Sequence, residues 1–245
     1  MLKKILTIVG IILLIGVIGF VIWGSTPLGP SVEAMAATTS GSGVVVEQPN
    51  GWMVFRPQDG SLPTTGLIFY PGARVEYRSY APLLRQVAQQ GYLVVLVPQP
   101  LNLAIFGFEK ASEVIAAYPQ VHSWAVGGHS LGGAMAAQFA INHASQIQGL
   151  VLWASYPPSA MDQQTIQVVS ISGSLDGLAT PAKIEDSKKL LPAQTTYVVV
   201  AGGDHAQFGS YGPQPGDNLA AILPVEQWRK TAQATVDLLS KISGK

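Results

Sequence analysis

Gly128-His129-Ser130-Leu131-Gly132 is the stretch whose reading decides the fold. An apolar run, Trp124-Ala125-Val126, leads into it, and a small-residue run, Gly133-Ala134-Met135-Ala136-Ala137, leads out. That is the strand–turn–helix setting in which a G-x-S-x-G pattern becomes a nucleophile elbow. A serine on so sharp a turn lies close to its neighbours, so the residues two before and two after it must lack bulk. The turn lifts the serine oxygen to the sheet edge and aims the following backbone N–H at the same point. Glycine and serine are common, so the five residues alone carry a modest signal. Their flanks make it strong.

Outward from the elbow, strand and helix signals alternate. Val44–Glu47 and Trp52–Phe55 read as a hairpin about Pro49-Asn50-Gly51. Leu67–Tyr70, Tyr92–Val97, Trp124–Gly128, Leu150–Ala154, Val168–Ile171 and Tyr197–Ala201 read as strands. Between and after them, helices are expected over 80–90, 108–118, 131–142, 181–191 and 225–242. Short apolar strands separated by helices predict an α/β fold, a mostly parallel sheet with helices on both faces. The connection after Ala154 is short, so no large lid is inserted there.

A serine hydroxyl is a poor nucleophile near neutral pH; it needs a base, and the base needs an orienting carboxylate. Four histidines are available. His129 stands inside the elbow with its ring directed away from the adjacent hydroxyl, a structural position. His122 and His143 read as surface residues. His205 follows the last expected strand through Gly202-Gly203-Asp204 and so reaches the carboxyl edge of the sheet, where such folds place their sites. It is the expected base. In the chain order Ser…Asp…His that accompanies this elbow, Asp176 is the expected acid and Asp162 the runner-up. Asp204 suits a loop cap. For the oxyanion, Leu131 N–H follows from its position. Ala73 N–H is the choice for the second donor, with Gly72 behind it, because Pro71 has no N–H and Gly72 lets the backbone turn inward.

Tyr70-Pro71-Gly72-Ala73, the elbow, Ser172-Gly173-Ser174-Leu175-Asp176 and Gly202-Gly203-Asp204-His205 together resemble the loops of α/β-hydrolases. The similarity is to lid-less members related to dienelactone hydrolases and cutinase-like esterases, over residues 31–245. A serine stands where dienelactone hydrolases carry a cysteine nucleophile. Gly203–Gly212 further resembles a bacterial subgroup of membrane-anchored hydrolases. The resemblance implies a serine hydrolase of carboxylic esters, a small-molecule substrate and an acyl-enzyme on Ser130. Acyl transfer, thioester hydrolysis and a catalytically silent binding module are the alternatives. Arg74, Trp153 and Phe208 are candidate substrate contacts. The apolar loop 100–106 either lines an acyl pocket or packs against the membrane-proximal helix. No zinc-type H-x-x-x-H spacing or Walker-type glycine loop occurs, so no cofactor or metal is expected.

Only 11% of the 245 residues are charged and the net charge is zero, which offers nucleic acid no basic surface. Cysteine is absent, which excludes disulfides and thiol chemistry. From Ile5 to Trp23 runs an uncharged apolar stretch of about 19 residues, near the ~20 that span a bilayer core. Lys3 and Lys4 precede it, and the next positive charge is Arg56. The positive-inside rule then puts the rest of the chain on the extracytoplasmic side. Expected segments are a membrane anchor over 1–24, a juxtamembrane segment over 25–43 and the hydrolase domain over 44–245. The alternative is secretion after signal cleavage near Ala34-Met35-Ala36, although the apolar stretch exceeds the ~7–15 residues usual for a signal.

Overall fold

The computed structural model describes residues 2–244, so the expected segment ends at 1 and 245 lie outside the described residues. One sheet runs in the order β1-β2-β4-β3-β5-β6-β7-β8. Its strands are β1 (Val44–Glu47), β2 (Met53–Pro57), β3 (Thr65–Tyr70), β4 (Leu93–Leu96), β5 (Ser123–His129), β6 (Gly149–Trp153), β7 (Gln167–Gly173) and β8 (Thr196–Val200). β1 and β2 form an antiparallel hairpin, and β2 joins β4 antiparallel. From β4 to β8 every neighbouring pair is parallel.

The helices are α1 (Leu2–Ser25), α2 (Val32–Ala36), α3 (Ala81–Ala88), α4 (Lys110–Ala117), α5 (Leu131–Asn142), α6 (Pro181–Ser187) and α7 (Pro224–Ile242). Successive strand residues feed two cores. Leu67 and Phe69 of β3, with Val151 and Trp153 of β6, pack beneath α3 and α7. Ile68 and Tyr70, with Leu150 and Leu152, pack beneath α4 and α5. Burial on both faces explains why β3 is buried along its whole length and reads as an unbroken apolar run. The expected 181–191 helix is shorter than anticipated: α6 ends at Ser187 and a 3-10 turn takes over at Lys188–Leu190.

α1 stands apart from these layers. From Lys3 to Ser25 its mean hydropathy is 3.1, and every residue there but Gly24 is exposed. The segment that follows it is bound to the rest of the fold. Leu28 pairs with Val75 as a parallel bridge, and Ser31 Oγ lies 2.7 Å from Ser210 Oγ. Ala34 of α2 is fully buried. Arg85 of α3 gathers the carbonyls of Ala37, Thr39 and Gly41 with its guanidinium.

Candidate active site

The carboxyl ends of β3, β5, β6 and β7 meet at one edge, and the local backbone there is strained. Ser130 sits between β5 and α5 with φ 52° and ψ −122°. Positive φ in a residue with a Cβ costs about 1–3 kcal/mol and persists only where the surroundings over-determine it. Here they do. A Cβ on Gly128 would fall 2.4 Å from the Gly132 carbonyl carbon, and one on Gly132 would fall 2.3 Å from the Tyr70 oxygen. The Ser130 N–H donates to Trp153 O at 3.0 Å, and Ser155 Oγ donates to Ser130 O at 2.6 Å. The turn is therefore clamped from β6 as well as from β3. Ala154, which walls the same cleft, also takes a positive φ of 46°.

His205 and Asp176 come together as expected. Nδ1 of His205 donates to Asp176 Oδ2 at 2.9 Å, and both residues are 1% exposed. Asp176 Oδ1 accepts from the N–H groups of Leu178 and Ala179 at 2.8 and 2.7 Å. A buried carboxylate needs such a set of donors, because burying it unpaired costs several kcal/mol. With its proton held at Nδ1, His205 keeps the lone pair at Nε2. That atom is buried and has no partner among the described residues. His205 and Ser130 line one cleft of about 280 Å³, walled by Leu131, Ala134, Ala154, Tyr156, Leu178 and Ala179. Among the described residues no hydrogen bond yet joins Ser130 Oγ to Nε2.

Two backbone donors flank the elbow. Neither Leu131 N–H nor Ala73 N–H has an acceptor among the described residues. The close approach of Gly132 to the Tyr70 and Pro71 carbonyls brings the first turn of α5 against the strand end that leads to Ala73. Gly72 N–H, the alternative donor, is engaged with Tyr80 Oη at 2.9 Å. Tyr80 in turn donates to His129 Nδ1 at 2.8 Å. The His129 ring is buried, with its centroid 4.4 Å from that of His205. Burial first, then the neighbouring His205, hold His129 well below the ordinary imidazole pKa, only partly offset by the His205 backbone. His129 is thus a neutral wedge behind His205.

The three expected substrate contacts lie away from the cleft. Arg74 turns to α1: Nε donates to Trp23 O at 2.9 Å, a terminal nitrogen reaches Thr26 O at 2.7 Å, and the guanidinium lies 4.6 Å over the Trp23 ring. Trp153 is fully buried, its indole N–H on Thr235 Oγ1 at 3.1 Å. Phe208 is also fully buried and stacks on His129. None of the three reaches the cleft. Asp162, the runner-up acid, is exposed and accepts from the side chain of Gln163. Asp204 caps its own loop by accepting from Gln207 N–H at 2.8 Å. His122 is exposed, and His143 pairs with Glu109 at 2.7 Å near the surface.

Sequence reasoning missed Asp217. Its Oδ1 accepts from Gly177 N–H at 2.9 Å and its Oδ2 from Ala206 N–H at 2.8 Å. One carboxylate therefore ties the residue after Asp176 to the residue after His205. Asn218 adds a bond to Leu175 O at 2.9 Å. No local pattern in Gln214-Pro215-Gly216-Asp217 signals this, since the partner lies 40 residues away. A larger cleft of about 590 Å³ lies behind this loop, between Ser31, Gln207 and Trp228, and contains none of Ser130, Asp176 and His205.

A family model described as alpha/beta hydrolase family matches residues 66–229, from β3 into α7. The chain belongs to the alpha/beta hydrolase family. Among solved structures, a predicted CIB-like hydrolase of Thermoplasma acidophilum superposes with a TM-score of 0.56 at 16% identity, covering 81% of this chain and 100% of its own. Est1E of Butyrivibrio proteoclasticus superposes with a TM-score of 0.58 at 12% identity, covering 83% and 100%. At such identities the likeness is one of fold. No curated protein matches the chain. In this hydrolase the matched region carries the elbow, Asp176 and His205 together.

Proposed function

We propose that this hydrolase cleaves carboxylic esters through an acyl-enzyme on Ser130, with the catalytic domain held at the extracytoplasmic face of a membrane by α1. The observation that carries the reading is the Asp176–His205 pair, whose bare Nε2 shares a cleft with a serine strained onto an elbow. The base takes the proton of the Ser130 hydroxyl.

His205 accepts that proton as Oγ attacks the acyl carbon. The new oxyanion is met by the N–H groups of Leu131 and Ala73, each such donor being worth about 10²–10³ in rate. His205, held by Asp176, then returns the proton to the departing alkoxide. A water repeats the sequence in reverse and frees the acid. A cleft of about 280 Å³ stands near the low end of ligand pockets, roughly 300–1,000 Å³, and favours a small acyl group.

A retained anchor is supported by what cleavage would remove. A chain beginning at Ala37 would lose Ala34 from the core and the Ser31–Ser210 contacts. Residues 1–24 then act as the anchor, 25–43 as a docked juxtamembrane segment and 44–245 as the catalytic domain. The test is a fluorophosphonate probe applied to the membrane fraction, comparing the native chain with Ser130→Ala. Labelling of the native chain alone is expected. Labelling that survives the substitution refutes the nucleophile assignment.

A further inference from the structure

Ile105 and Phe106 point outward next to the buried Leu103 and Ala104, and are 54% and 53% exposed. The loop is two short 3-10 turns, Pro100–Asn102 and Ala104–Phe106. Phe106 meets Phe20 of α1 edge-on, with centroids 6.2 Å apart and planes at 83°. Phe20 belongs to the apolar stretch of α1, and five residues separate it from the helix end at Ser25. At 1.5 Å per residue that places Phe20, and whatever touches it sideways, about 7–8 Å below the end of the helix.

The loop is fastened to the end of α1. Asn102 Nδ2 donates to Gly24 O at 2.9 Å, and Asn102 O accepts from Arg74 N–H at 2.8 Å. Arg74 closes the circuit through Trp23 O and Thr26 O. Gly24 packs so closely on Leu101 that an added Cβ would stand 3.0 Å from the Leu101 Cβ. Trp23 under the Arg74 guanidinium is the pairing found at a membrane interface, an amphipathic ring below a charged head in the polar layer.

We infer that the 101–106 loop is a second membrane contact, with Ile105 and Phe106 seated in the acyl–headgroup boundary of the leaflet from which α1 emerges. This rests on α1 being a retained span. The occupant follows from continuity. If Phe20 stands in lipid, a side chain in ring contact with it has no water layer to retreat to.

The absence of cysteine makes the test clean. Single-cysteine variants Ile105→Cys, Ile12→Cys and Leu219→Cys of the full chain carry an environment-sensitive fluorophore. Phe106→Cys serves as the second loop position, and each variant is required to keep fluorophosphonate labelling. The proteins are reconstituted in phosphatidylcholine–phosphatidylglycerol vesicles containing lipids with shallow or deep nitroxides. Shallow nitroxides are expected to quench the loop labels several-fold more than the label at Leu219, which is 82% exposed on the catalytic domain. Deep nitroxides are expected to quench Ile12. Loop labels as bright as Leu219, with Ile12 quenched, overturn the contact and leave the span intact. Loop labels shielded from aqueous iodide but untouched by lipid nitroxides mean that a second copy covers the patch, which also overturns it. An unquenched Ile12 refutes the span, and the contact with it.

Discussion

Asp217 shows how far a site can depend on a residue that never touches the reacting atoms. Its two oxygens hold Gly177 and Ala206, each next in sequence to a member of the Asp176–His205 pair. Asp217→Asn keeps the shape but turns an N–H toward one of those donors. We expect kcat to fall about tenfold, roughly 1.4 kcal/mol, with KM nearly unchanged. Steady-state kinetics on a soluble ester measure this, and an unaltered kcat removes Asp217 from the account. His129 makes a second prediction. Its folded pKa lies well below that of an unfolded histidine, about 6.5. Between those two values the unfolded chain binds a proton that the folded chain refuses. The stability it contributes is therefore complete above about pH 6.5 and is lost as the pH falls below that. Thermal midpoints should drop between pH 7.5 and pH 5, and the drop should be smaller in His129→Gln, which keeps an acceptor for Tyr80. Equal slopes in the two proteins would contradict the wedge.

At the scale of elements, the elbow is held by backbone contacts that no side-chain adjustment can relieve. Gly132→Ala places a methyl 2.3 Å from Tyr70 O and 2.4 Å from Pro71 O. Overpacking of this kind costs up to about 3 kcal/mol, which in a chain of this size lowers the melting temperature by about 6–12 °C. Differential scanning fluorimetry measures that shift, and an unchanged midpoint would mean that β3 and α5 are not clamped as described. Such packing was legible in part. The parallel strands were readable because each is a short apolar run punctuated by glycine or proline, and the elbow's glycines announce the close approach. What strands buried on both faces conceal is sidedness. Trp153 ends β6 at the catalytic edge, but nothing in Leu150-Val151-Leu152-Trp153 shows that its ring turns under α7 rather than into the cleft. The packing of Arg74 is hidden for a different reason. Its partners Trp23 and Thr26 lie 51 and 48 residues earlier, at the end of the apolar helix and just past it, and no local pattern couples the two.

Over the whole molecule, the fold places an exposed apolar helix on a chain whose remaining layers are otherwise complete. Alkaline carbonate should leave the protein in the membrane fraction, and its intact mass should begin at Met1. Release by carbonate, or a mass beginning at Ala37, would show that the helix is removed or never spans. The stretch between helix and sheet has the composition of a slack tether, with Thr38-Thr39-Ser40-Gly41-Ser42-Gly43 at its end. Arg85 cancels that slack by drawing three of its carbonyls onto α3. A domain on a free tether sweeps a dome of space above the bilayer and meets substrate at any height within reach. A domain whose leash is tied down works at one altitude, like a plane set to a fixed depth of cut. If the chain is the anchored esterase proposed above, it thus selects substrates by how far each stands above the lipid as well as by the shape of its acyl group.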